Sequence, residues 1–186
     1  MPIIHKIESE KITILVWEIT ESLEEIIVLG GGINTSNHTS EKRKKEHLVS
    51  RLLVNEICPT KTIIYNKFGA PELDNGTHIS ISHSKELVAV IFSNKKTGLD
   101  IEQISEKSLR LASKFVSEKN LIKLNKEKTT LIWCVKEAIY KWHQKGGVDF
   151  VKDIIITEFF AKEHGKLTAY FRAKELNLNY LKINNH

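Results

Sequence analysis

The apolar positions of this chain fall into short runs, alternating stretches and a few helical stripes. Residues 12–19, ITILVWEI, are a strand-length apolar run. Thr20 then precedes ESLEEIIVL, a short helix that Gly30-Gly31-Gly32 ends. INTSNHT follows as a polar linker, because it lacks the GK[ST] ending of a phosphate-cradling loop. Ser40 is placed to cap EKRKKEHLVSRLLVNEI. Leu48, Val49, Leu52, Leu53 and Ile57 form the apolar stripe of that helix, and Arg43, His47 and Arg51 recur every fourth residue on another face. Pro59 ends it. TIIY (62–65) predicts a strand, NKFGAPEL a turn, HISIS (78–82) an alternating strand and ELVAVIF (86–92) another. Asn94-Lys95-Lys96 turns the chain into TGLDIEQ (97–103), which predicts a short strand. Helical spacing covers Ser105 to Phe115, Ser117 can cap EKNLIKL, and a longer helix runs from Lys128 to Gln144, stopped by Gly146-Gly147. DIIITEFF, KLTAYFRA and NYLKI in the tail are strand-like. The mixed order predicts an α+β fold built in two halves, 1–95 and 96–186, joined near residues 94–98.

Composition is that of an ordinary globular chain: 186 residues, 41% hydrophobic and 27% charged. No run is long enough to span a membrane, and MPIIHKIESE lacks a basic start followed by an apolar stretch, so a cytoplasmic protein is expected. Cys58 and Cys134 stand outside any C-x-x-C motif and read as two reduced thiols. A net charge of +5 suits an anionic partner, whether nucleic acid, a phosphorylated small molecule or an acidic protein, and suits a plain solvated surface equally. EKRKKEH is the most basic run, but acids interrupt it and no RNA-binding aromatic signature accompanies it, which argues against nucleic acid.

Within TGLDIEQ, alternation sends Leu99 and Ile101 to one face and Asp100 and Glu102 to the other, with Cα atoms roughly 6.5–7 Å apart. An isolated D-x-E also fits a solvated strand face. In LIWCVKEAIYKWHQ (131–144), Ile132, Val135, Ile139 and Trp142 share a core face, while Trp133, Lys136, Glu137, Tyr140 and Lys141 share the opposite one. That second face is either an ordinary charged helix surface or, given Trp133 among the charges, the wall of a cleft. If Glu137 meets Asp100 and Glu102, carboxylates about 5 Å apart repel by roughly 3 kcal/mol and call for a cation. An all-oxygen set suits Mg²⁺, and Lys136 and Lys141 could hold phosphate oxygens beside it. In SISHS (80–84), Ser80, Ser82 and Ser84 share a strand face and His83 takes the other, unless the strand ends there. A Ser–His nucleophile pair is disfavoured by the lack of G-x-S-x-G and of an orienting acid.

In order along the chain, Gly69-Ala70-Pro71, Ser82-His83-Ser84, Gly98-Leu99-Asp100-Ile101-Glu102 and Trp133 through Lys141 resemble the G-K-P, S-H-S, G-x-D-x-E and W-x-x-K-E-x-x-x-K motifs of the 4′-phosphopantetheinyl transferase superfamily, in its longer pseudo-dimeric type. KFVSEKN resembles a further segment of that family, and the matched span is about residues 67–147. The resemblance implies two similar α/β halves about a pseudo-twofold axis, with coenzyme A bound between them. It implies that Asp100, Glu102 and Glu137 hold Mg²⁺, with Glu137 also the base and Lys141 its catalytic partner. Lys136 and Lys141 would bind phosphates, and His83, with Ser82, Arg51 and Arg43, would bind the coenzyme, His83 at its 3′-phosphate. The implied reaction moves phosphopantetheine to a serine of an acidic apo acyl or peptidyl carrier protein of fatty acid, polyketide or nonribosomal peptide synthesis and releases 3′,5′-ADP. The implied protein is a cytoplasmic monomer that binds neither nucleic acid nor membrane. Ala70 replaces the family's lysine, Lys67 is the nearby substitute, the chain is short for the two-half type with a clipped C-terminus, and a non-catalytic relative that only binds is the alternative.

Overall fold

The computed structural model describes residues 3–33, 38–118, 121 and 124–186. Residues 34–37 of the expected linker and most of the helix expected after Ser117 lie outside the described residues. The chain divides into two compact units, Met1–Ile101 and Glu102–His186.

The first unit contains strands β1 (Ile3–Glu8) and β2 (Ile12–Glu18), helices α1 (Leu23–Gly30) and α2 (Glu41–Ile57), and strands β3 (Ile63–Tyr65), β4 (Pro71–Leu73), β5 (His78–Ser84) and β6 (Leu87–Ser93). The strands form one antiparallel sheet in the order β1-β2-β6-β5-β4-β3. Central β6 is buried at all seven positions, so its sequence shows a continuous apolar run rather than alternation. Local chemistry sets the helix ends. Ser22 and Glu25 form a capping box at α1, Gly31 closes that helix in the left-handed region at φ 55°, and Ser40 accepts the Arg43 N–H at α2. Leu48, Val49, Leu52 and Leu53 of α2 pack with Trp17, Ile79, Val88, Val90 and Phe92 of the sheet.

The second unit contains a short helix α3 (Glu106–Arg110), a 3₁₀ turn (Ala112–Lys114), helix α4 (Lys126–His143) and the antiparallel sheet β7 (Ile154–Ile156), β8 (His164–Phe171) and β9 (Lys174–Leu181). Val135 and Ile139 of α4 pack on Ile154, Leu167, Ala169 and Phe171, while Ile132 joins Ala112, Phe115 and Val116. Both units mix helix and antiparallel sheet, so the α+β expectation holds. No helix among the described residues is long and apolar enough to cross a membrane.

Three local expectations need correction. IIHKIE at the N-terminus is strand β1, although its charged residues hide the pattern, and PEL within the expected turn is strand β4. Residues 97–103 are not a strand. The segment forms no backbone ladder, because its partners are serine side chains.

Candidate functional site

Ser80 and Ser82 share a face of β5, as alternation requires, and both are buried. The Leu99 N–H donates to Ser80 Oγ at 3.0 Å and the Ile101 N–H donates to Ser82 Oγ at 3.2 Å. Both pairs are offset by nineteen residues, so the segment runs parallel to β5 across its face. Two hydroxyls thus replace the ladder that a neighbouring strand would supply. The Ser82 hydroxyl also donates to Asp100 Oδ1 at 2.8 Å. The resemblance puts Ser82 among the coenzyme-binding residues. In the structure its buried oxygen is occupied by Asp100 and Ile101, so it orients the acid instead.

β5 continues through Ser84, so His83 lies on the opposite face from Ser82. That face is the one whose Ile79 and Ile81 pack toward α2. There His83 Nε2 is 3.0 Å from Arg43 Nη1, and Nδ1 is 3.4 Å from Glu46 Oε1. The structure therefore brings His83 and Arg43 together. Arg51, two turns further along α2, donates instead to the His47 carbonyl, Ser50 Oγ and Tyr65 Oη. Glu46, which joins Arg43 and His83, was not singled out by sequence; within EKRKKEH it reads as one more solvated charge, yet only 4% of its surface is exposed.

In the second unit the Trp133 indole N–H donates to Glu102 Oε1 at 3.2 Å. Trp133 and Glu137 are one turn apart on α4, so the indole draws Glu102 to the helix face that carries Glu137. Glu137 and Lys141 are both partly exposed there. Trp133 lines a cavity of about 1170 Å³ with Glu102, Leu111, Phe115, Phe150 and Asp149, whereas Glu137, Tyr140 and Lys141 of the same helix face do not line it. Lys136 departs from the cleft-wall reading. It is buried, and its ammonium donates to the carbonyls of Phe150 and Ile154, tying the start of β7 and the chain before it to α4. Burial pulls its pKa down to about 8, with Asp149 opposing the shift. The ammonium is thereby turned inward, which corrects the expectation that it faces a phosphate.

Asp100 belongs to the first unit, and Glu102 and Glu137 to the second. Each of the three offers only oxygen donors, the chemistry a hard divalent cation prefers. Among the described residues, no group of three or more His, Cys, Asp or Glu side chains is gathered in a way that could hold a metal ion.

Residues 96–184 match the 4′-phosphopantetheinyl transferase superfamily. The chain is similar to the 4′-phosphopantetheinyl transferase gsp of Aneurinibacillus migulanus, with 33% identity over 111 residues, covering 54% of this chain and 47% of that protein. It is also similar to the 4′-phosphopantetheinyl transferase Sfp of Bacillus subtilis (strain 168), with 33% identity over 89 residues, covering 44% and 39% respectively. The chain thus spans about half the length, or less, of these relatives.

Proposed function

We propose that this chain, whose residues 96–184 match the 4′-phosphopantetheinyl transferase superfamily, is a member of it that transfers 4′-phosphopantetheine from coenzyme A to a serine of an apo acyl or peptidyl carrier protein. The observation that carries this reading is the placement of two family acids by dedicated hydrogen bonds, Asp100 by Ser82 and Glu102 by Trp133. Asp100, Glu102 and Glu137 would hold Mg²⁺, which supplies charge neutralisation at the pyrophosphate when bound.

The chain's own residues would do the rest. Glu137 would accept the proton of the carrier serine hydroxyl, directly or through water. The serine oxygen then forms a bond to the β-phosphorus, the bond from that phosphorus to the bridging oxygen breaks, and 3′,5′-ADP leaves with the electron pair. Lys141, one turn from Glu137 on α4, would offset charge on the leaving group. His83 and Arg43, already adjacent, would bind the 3′-phosphate, with Arg51 further along α2. The apolar cavity beside Glu102 would admit the uncharged pantetheine arm.

The test is incubation with coenzyme A, Mg²⁺ and apo carrier proteins from fatty acid, polyketide and nonribosomal peptide synthesis, read by intact mass. A gain of one phosphopantetheine on the acceptor serine is expected. No gain with any acceptor, from a protein that still binds coenzyme A, would leave a binding protein and end the transferase reading.

A further inference from the structure

Glu46 is a carboxylate with 4% of its surface exposed, and an isolated buried charge is costly. It is not isolated. Oε2 takes a 3.0 Å bond from Arg43, while Oε1 lies 3.4 Å from His83 Nδ1 and 3.8 Å from Lys42 Nζ. These groups come from two elements, Lys42 and Arg43 from α2 and His83 from β5. The side chains of Arg43 and His83 remain 60% and 37% exposed, so the carboxylate sits beneath groups that face solvent.

The donor pattern assigns the proton of the neutral histidine. Arginine only donates, so the His83 Nε2 facing Arg43 at 3.0 Å is the acceptor. The ring N–H then lies on Nδ1, toward Glu46 Oε1. One buried carboxylate therefore sets the ring's tautomer and holds the guanidinium beside it.

We propose that Glu46 is a positioning residue that presents Arg43 and His83 together to a phosphomonoester, the 3′-phosphate of coenzyme A. This rests on the functional reading above. Two effects oppose each other: the carboxylate repels a phosphate, and it pre-orders the two groups that bind one. With the phosphate bound, the His83 ring carries a proton on each nitrogen and donates from Nε2 beside Arg43, while its Nδ1–H stays on Glu46 behind them, so ordering outweighs repulsion.

The test measures dissociation constants for coenzyme A and dephospho-coenzyme A by calorimetry. Glu46→Gln is expected to weaken coenzyme A about tenfold while dephospho-coenzyme A changes less than about twofold. In a His83→Ala background the same substitution should have a smaller effect than in the wild type, because Glu46 acts partly through that ring and partly through Arg43. Glu46→Asp, which withdraws the charge by one methylene, is expected to lose part of the discrimination and serves if the glutamine variant does not fold. Equal losses for both ligands, tighter coenzyme A binding, or discrimination unchanged in a folded Glu46 variant would overturn the proposal alone. A wild-type protein that binds both ligands equally would remove the phosphate site itself, and this proposal with it.

Discussion

At the scale of single residues, burial reassigns charges that look alike in sequence. Lys136 and Lys141 flank Glu137 on α4, yet Lys136 is buried on two carbonyls while Lys141 is partly exposed. The consequence for Lys136 has a definite sign. Its folded pKa of about 8 lies below the ordinary 10.5, so between those values the unfolded chain binds the extra proton. Stability contributed by this site therefore rises with pH across that window. In chelator-treated protein, the stability of wild type relative to Lys136→Met should increase by about 1–3 kcal/mol from pH 8 to 10.5, measured by urea unfolding. A pH-independent difference would show that the ammonium is solvated. Glu137 and Asp100 carry the chemistry in the proposed reaction, so Glu137→Gln and Asp100→Ala should each lower transfer by at least about 100-fold with unchanged far-ultraviolet circular dichroism. Wild-type turnover by either folded variant would remove that residue from the mechanism.

At the scale of elements, the segment after β6 is held by two serines rather than by a ladder. Alternation in SISHS already places Ser80 and Ser82 on one face; their use as acceptors for Leu99 and Ile101 depends on a segment nineteen residues further on, which local periodicity does not report. Ser82→Ala removes the donor to Asp100 and the acceptor for Ile101 together. It should cost about 2–3 kcal/mol of stability in urea unfolding, since it leaves a partly buried amide unpaired and strips a charged acceptor of its donor. A loss below about 0.5 kcal/mol would mean that water replaces the hydroxyl. The long elements α2, α4, β2, β5 and β6 were legible from their apolar stripes, runs or alternation, with the Ser40 cap adding to α2. β1 and β4 were not, because a partly exposed edge strand and a three-residue strand owe their form to pairing with neighbours.

At the scale of the whole molecule, a net charge of +5 would give the proposed acidic carrier protein a long-range attraction. At saturating coenzyme A, raising ionic strength from about 0.05 to 0.5 M should raise KM for the carrier several-fold and leave kcat within about twofold, in steady-state assays. An unchanged KM would show that overall charge plays no part in the encounter. The amino-acid sequence by itself determined the α+β class, the Ser40 cap of α2, the order of the four motifs and the residue types of the candidate site, because each of these is a local pattern. Tertiary structure alone decided which polar side chains go inside. It buried Glu46 beneath Arg43 and His83, turned Lys136 onto the Phe150 and Ile154 carbonyls, and set the Ser82 hydroxyl between Asp100 and the Ile101 N–H. The physical reason is common to all three: burial and hydrogen bonding of a side chain are set by groups distant in the chain, and no local period encodes them.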